Sequence, residues 1–220
     1  YIFRANGTSN IDIYGGTIDG RRSAATTSGS NEFGFWFRGA SNIRFRQRTF
    51  IKNCYEDGVY LGADDSGNRC QNITLDVDVT NSGRNNVSIV HATKVRGKIV
   101  ASLAVDATGH YSTGPWTGVD LEPGNNEYID EIDLEVETYE NGAAGERLGV
   151  GVNIYLLAGL TTQKQRIHIR HRSQGDRRAF RLGRALPRSA GSENFVTYRG
   201  VAMNEADVDG AFIIDELGTN

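Results

Sequence analysis

The sequence predicts an all-β chain wound as a parallel solenoid. Three observations predict it: a unit that recurs roughly every 30 residues, two strand types that alternate within it, and a charge pattern that reverses from each repeat to the next. The background is an ordinary globular composition, 220 residues with 38% hydrophobic, 23% charged and a formal net charge of -3, long enough to bury a core as a single domain over residues 1–220. Gly is abundant at 27 residues and Pro scarce at 3. Val, Ile and Thr recur in short runs bounded by Asn, Gly and Asp, which is the grammar of many short strands.

The first strand type reads FGFWFRG from Phe33, DGVYLG from Asp57, NNVSIV from Asn85, TGVDLE from Thr117, VGVNIY from Val150 and RAFRLG from Arg178, with DGAFII from Asp209 as a degenerate seventh copy. In each, a small or polar residue precedes a strict apolar alternation, as a half-buried strand requires. The central residues Gly34, Gly58, Asn86, Gly118, Gly151 and Ala179 are separated by 24, 28, 32, 33 and 28 residues.

The second type falls between these copies and is often opened by Asn: NIDIYGG from Asn10, NIRFRQRTF from Asn42, NITLDVDV from Asn72, KVRGKIV from Lys94, EIDLEVE from Glu131, RIHIRHR from Arg166 and NFVTYRG from Asn194. The two types alternate throughout. A period that holds two or three short strands and no helix is one coil of a solenoid, so about seven coils stacked about 4.8 Å apart are expected, a rod roughly 35 Å long.

Stacked coils place outward side chains in ladders, where like charges repel. Alternate residues of the second type give Asp12; then Arg44, Arg46 and Arg48; then Asp76 and Asp78; then Arg96 and Lys98; then Asp133, Glu135 and Glu137; then His168, Arg170 and Arg172. The sign flips at every coil. This assigns most of the charge a structural role, and with the net charge it excludes nucleic acid as the expected partner of runs such as RIHIRHR. A β-sandwich would need tight hairpin turns at spacings of about 8–12 residues, and only ENGAAG at 140–145 resembles one.

No apolar run approaches the length of a membrane span, so no membrane partner is expected. Tyr1 already stands in strand-like sequence, which suggests a piece of a longer protein. Cys54 and Cys70 lack metal-ligand spacing and are too few for a disulfide framework, so buried free thiols are expected, a single bridge being the alternative.

IDIYGGTIDGR at 11–21, DGVYLG at 57–62, CQNITLDVDVTNSGRNNVSI at 70–89 and TGVDLEPGNN at 117–126 resemble the right-handed parallel β-helix proteins of the pectin-lyase-like class, nearest to phage tailspike and bacterial polysaccharide-degrading domains. The resemblance covers roughly residues 9–185. It implies a right-handed β-helix, an extracellular or virion-associated location, a polysaccharide partner and a homotrimer as one assembly. It also implies glycoside hydrolysis or β-elimination on uronates in a groove along one sheet. The paired-Asp, Gly-His-Gly and Arg-x-Lys signatures of polygalacturonases are missing, as is a pectate-lyase calcium cluster.

On the first strand type the outward residues stack as Trp36, Tyr60, Ser88, Asp120, Asn153 and Arg181, and two positions later as Arg38, Gly62, Val90, Glu122, Tyr155 and Gly183. This face has no compensating charge ladder. Its mixture of rings, hydroxyls, amides and acids suits a sugar groove. Asp120 and Glu122 are the candidate catalytic pair, because mutual repulsion would raise one pKa and make an acid and a base of two carboxyls. The plain alternative is that they are solvated, or paired with Arg84 and Arg181.

His91 is a third catalytic candidate, or a turn residue. Trp36, Tyr60, Arg84, Trp116, Asn153, Tyr155 and Arg181 are the candidate substrate-binding residues. For a lyase, Tyr60 or His91 would be the base and Arg84 or Arg181 would neutralise a uronate. Asp64 and Asp65 in GADDSGN offer a calcium loop its first carboxylates but no further ligand spacing, so a solvated turn and no cofactor are expected. The rival to an enzyme is a receptor-binding or structural segment of a phage fibre or adhesin. Asn10, Asn42, Asn72, Asn81, Asn85, Asn86 and Asn194 are expected in turns, where Asn accepts a left-handed backbone and stacks. The triplets NIT at 72–74 and NVS at 86–88 lie on strands and are read as structural.

Overall fold

The structure, a computed structural model, describes residues 2–21, 33–104, 116–124, 127–142, 149–156, 165–184, 194–203 and 212–216. Among the described residues there are strands and no helix. Eight strands form one sheet: β1 (Phe3–Asn6), β3 (Phe35–Arg38), β5 (Val59–Gly62), β7 (Val87–Ile89), β9 (Thr117–Leu121), β11 (Val150–Leu156), β13 (Arg178–Arg184) and β15 (Phe212–Glu216). Seven longer ones form the other: β2 (Ser9–Asp19), β4 (Ser41–Lys52), β6 (Cys70–Thr80), β8 (Ala92–Ser102), β10 (Ile129–Tyr139), β12 (Gln165–Gln174) and β14 (Asn194–Met203). Neighbours pair in parallel in strict order, and the chain visits the sheets alternately. That arrangement is compatible with a parallel β-solenoid. β1 is a member of the shorter-strand sheet that the repeat did not reveal, because FRAN lacks the small residue that marks the other copies.

The registers Phe35↔Val59↔Val87↔Val119↔Val152↔Phe180 put the six small residues before them in one row. Close approach explains the glycine at Gly58, where a Cβ would lie 2.2 Å from Val79 Cγ1. Between the sheets the inward residues make one continuous apolar column in which Phe37, Ile43, Leu61, Ile73, Leu121 and Leu134 are fully buried. Each such side chain contributes about 1.5–3 kcal/mol. Cys54 and Cys70 are free and buried within it.

The left-handed turns occur where stacking places them. Asn10, Asn42, Asn72, Lys94 and Glu131 share φ values of 61°, 55°, 59°, 56° and 53° near the start of the longer strands, and Asn53 and Asn81 take 56° and 59° at their ends. Side-chain amides link the rows: Asn72 donates to Asn42 at 2.9 Å, Asn42 to Asn10 at 3.2 Å, and Asn81 to Asn53 at 2.7 Å. Asn85 and Asn86 also lie between strands as expected, but neither is left-handed. The side chain of Asn194 lies outside the described residues.

The charge ladder forms from β2 to β12, irregular only in β4, and stops at β14, where Arg199 stands in register with Arg170, a like charge. Arg44 meets Asp12 at 2.7 Å, Arg48 meets Asp76 at 3.0 Å, Lys98 meets Glu135 at 3.1 Å and Arg170 meets Asp133 at 3.2 Å. Exposed pairs are worth at most about 1 kcal/mol each, so they select register more than they stabilise. In β4 the register slips between Arg44 and Thr49, and Arg46, Gln47 and Arg48 all turn to solvent in the resulting bulge.

One part of the interior is polar. The Asp176 carboxylate, fully buried, accepts the Asn141 backbone and side-chain N–H groups at 2.8 Å each, the Ser173 hydroxyl at 2.6 Å and the Thr138 hydroxyl. His171 bridges Thr138 at 2.6 Å and the Tyr198 hydroxyl at 2.7 Å, and burial pushes its pKa down to about 3, so the ring is neutral. Asn86 joins this network through Asn141 at 3.1 Å. Satisfied in this way, the buried carboxylate is tolerated.

Candidate active site

The pairings Arg4↔Trp36↔Tyr60↔Ser88↔Asp120↔Asn153↔Arg181 align the expected outward row of the shorter strands. At its middle lies a pocket of about 310 Å³ lined by Tyr60, Arg84, Asn85 and Ser88, with Val90, Asp120, Glu122 and Gly124 completing it. Asp120 ends up there because β9 alternates Val119 and Leu121 into the core. Glu122 follows at the strand's end.

Asp120 is 5% exposed. Its Oδ2 accepts the Asn85 Nδ2–H at 3.0 Å and its Oδ1 accepts the Asn153 Nδ2–H at 2.7 Å, so neighbouring coils clamp it from both sides. Burial first, and then the charge of Glu122, push its pKa up to about 7 against the pull of Asn153 and Arg84. Burial also raises Glu122, which Arg181 and Arg84 hold down. Asp120 and Glu122 are thus two carboxyls with raised pKa values in one pocket.

Arg84 is not the partner of either acid. It forms a two-point pair with Asp57, Nε to Oδ1 at 2.9 Å and Nη2 to Oδ2, and Asp57 is fully buried and also accepts the Asn85 backbone N–H at 3.1 Å. Asn85 then serves both layers: besides holding Asp120 it donates to Ser88 Oγ at 3.1 Å and accepts the Thr117 N–H at 3.0 Å. The sequence assigned Asn85 to a turn, and only its position one coil before Asp120 signals the role.

The remaining candidates separate into groups. Tyr60 is in the pocket, and burial pushes its hydroxyl up to about 12. Tyr155 and Arg181 stand farther along, the guanidinium 5.4 Å from the ring centroid; the ring lies over Gly183, where a Cβ would come within 2.3 Å of it. Trp36 is engaged within the protein, stacked on Phe33 at 5.5 Å with Arg4 at 4.5 Å and Arg38 at 5.3 Å over its ring. Trp116 is 6% exposed, and its indole N–H has no hydrogen-bond partner among the described residues. His91 does not line the pocket; its Nδ1 accepts the Tyr128 backbone N–H at 2.9 Å, and burial lowers its pKa.

No family model, curated protein or solved structure matches the chain. Function therefore rests on the geometry alone.

Among the described residues no cluster of three His, Cys, Asp or Glu side chains could hold a metal ion. In the Asp64 loop, Oδ1 accepts the Ser66 and Asn68 N–H groups at 2.9 and 2.8 Å and Oδ2 accepts Asn68 Nδ2 at 2.9 Å, while Asp65 pairs with Arg38 at 2.8 Å. The Asp64 carboxylate folds its own turn, and Asp65 ties that turn to β3.

Proposed function

We propose that the chain is a right-handed parallel β-helix of about seven coils, of the pectin-lyase-like class, that binds and hydrolyses an acidic or capsular polysaccharide outside the cell or on a virion. The observation that carries the reading is the Asp120–Glu122 pair, two carboxyls with raised pKa values in one pocket. Asp120, the deeper of the two, is the acid that protonates the departing glycosidic oxygen. Glu122, nearer solvent and beside Arg181, is the carboxylate that acts as base or nucleophile. Residues i and i+2 of a strand are about 6.6–6.8 Å apart at Cα, within reach of the separations both hydrolytic mechanisms use.

Elimination is less well supported. Its two candidate bases are a tyrosine whose hydroxyl stays protonated and a histidine whose Nδ1 is already occupied. A binding segment of a fibre or adhesin is the second reading, favoured by how little of Asp120 reaches solvent. Incubation with a panel of bacterial capsular and plant acidic polysaccharides, following reducing ends and ultraviolet absorbance, separates the three. New reducing ends without absorbance support hydrolysis, absorbance supports elimination, and silence in both supports the binding segment.

A further inference from the structure

The outer face of the longer strands carries a trough of about 590 Å³, larger than the pocket at Asp120. The left-handed residues Asn42, Asn72, Lys94 and Glu131 lie along it, one to a strand in β4, β6, β8 and β10. One wall is the row Asn42, Asn72, Lys94 and Glu131; the other, two residues on, is Arg44, Thr74, Arg96 and Asp133, stacked in register. The pairing continues to β12 and β14, so the trough crosses six strands and is about 24 Å long at the spacing of parallel strands. An extended polymer lies along a trough of that form more readily than a compact ligand does.

Charge in the trough is uneven. Arg44 is neutralised by Asp12 at 2.7 Å, Arg166 by Asp130 and Glu131 at 2.7 and 3.0 Å, and Asp133 by Arg170 at 3.2 Å. Lys94 and Arg96, both exposed and at the centre, make no ion pair among the described residues; Arg96 reaches only Thr74 Oγ1, at 3.4 Å. Neutral amides and a hydroxyl from Asn42, Asn72 and Thr74 flank them on one side, and Glu131 and Asp133 on the other.

We propose that this trough binds an acidic polysaccharide whose carboxylates are separated by neutral sugars, with one carboxylate seated between Lys94 and Arg96 and the neighbouring hydroxyls on Asn42, Asn72 and Thr74. A densely charged strand such as a nucleic acid would place further phosphates on Glu131 and Asp133 and would find no Phe, Tyr or Trp among the lining residues on which to stack its bases. The site is separate from Asp120 and Glu122, and its occupancy does not depend on turnover there.

The test is affinity electrophoresis of the whole chain through gels containing hyaluronan, xanthan or, as the neutral control, dextran. Retardation by an acidic polymer and not by dextran is expected, weakened about tenfold or more in the Lys94→Gln/Arg96→Gln variant, the loss of charge-assisted contacts. Lys98→Gln, on the same strand beyond the trough, retains wild-type retardation, and an unchanged melting temperature shows both variants folded. No retardation by either acidic polymer, equal loss in Lys98→Gln, or full binding by the double variant would overturn the proposal. So would sedimentation showing a self-associated chain that Arg96→Gln dissociates, since a second copy would then occupy the trough.

Discussion

Asn85 grips Asp120 from the coil before it: its Nδ2 reaches the carboxylate at 3.0 Å while its Oδ1 takes the N–H of Thr117 at 3.0 Å, three residues ahead of the acid. One side chain thus fixes both the position of the carboxyl and the start of the strand that presents it. With Asn153 on the other side at 2.7 Å, the carboxyl is held in one orientation. Asp120→Asn and Glu122→Gln are each expected to lower polysaccharide turnover by about 10²–10⁴-fold, the usual contribution of a positioned proton donor or acceptor. Reducing-end release by folded variants is the measurement, and wild-type rates would remove both residues from catalysis.

The raised pKa of Asp120 has a signature in stability. Below its ordinary value of 3.8 both folded and unfolded chains hold the proton and nothing is contributed. Between there and about 7 only the folded chain holds it, so stability falls as pH rises through this window and the penalty is fully developed above it. Half-buried Glu122 and buried Asp176 shift in the same direction. The urea midpoint of the wild type is expected to drop between about pH 5 and about pH 8 by more than that of Asp120→Asn. Equal drops would show that Asp120 does not titrate there.

Removing Arg84 leaves the fully buried Asp57 carboxyl without its cation. Arg84→Met is expected to cost about 3–5 kcal/mol, the range for breaking a buried pair from one side. Asp57→Asn combined with Arg84→Met recovers part of that loss in denaturant titrations, because no uncompensated charge remains.

Gly58→Ala drives a methyl group to 2.2 Å from Val79 Cγ1, with the Asn86 carbonyl 2.8 Å away. Neither can yield without moving a strand, so a loss of about 1–3 kcal/mol is expected. Gly67, whose Cβ would meet nothing within 4 Å, is the control for a surface turn. Its φ of 78° confines the cost of Gly67→Ala to backbone strain.

Burial pushes the thiols of Cys54 and Cys70 up to about 12 and about 11. The thiolate is the reactive form, so an aromatic disulfide reagent is expected to leave the folded chain unlabelled and to titrate both cysteines once it is unfolded. Rapid labelling of the native chain would contradict this packing.

What was legible in the sequence is what repeats between adjacent coils. The Gly34-to-Ala179 row, the inward Ile and Val residues, the Asn42–Asn72 amide row and the sign reversals all obey a nearest-neighbour rule, which spacing alone exposes. What escaped has no period. Arg46 and Arg48 keep perfect alternation on paper while the chain bulges beneath them, since alternation does not count residues across strands. Arg84 was legible as a cation near the acids, but its partner is Asp57, because a fully buried carboxylate competes for it more strongly. Trp116, next to the acid pair in sequence, enters its strand from a φ of 42° and is buried. Asn86, Thr138, Asn141 and Asp176 form one network drawn from three successive stretches of the chain, each residue unremarkable where it stands.

The alternating charge rows of the longer strands also govern how such a chain can grow. Copying one coil, for example the one bearing Asp76 and Asp78, would set carboxylate on carboxylate at one junction of the sheet. Copying that coil together with the next, which bears Arg96 and Lys98, makes every new junction one of opposite sign. Lengthening by duplication is therefore favoured in steps of two turns, and a relative whose rod differs by an odd number of turns must carry a compensating reversal of charge somewhere along this face.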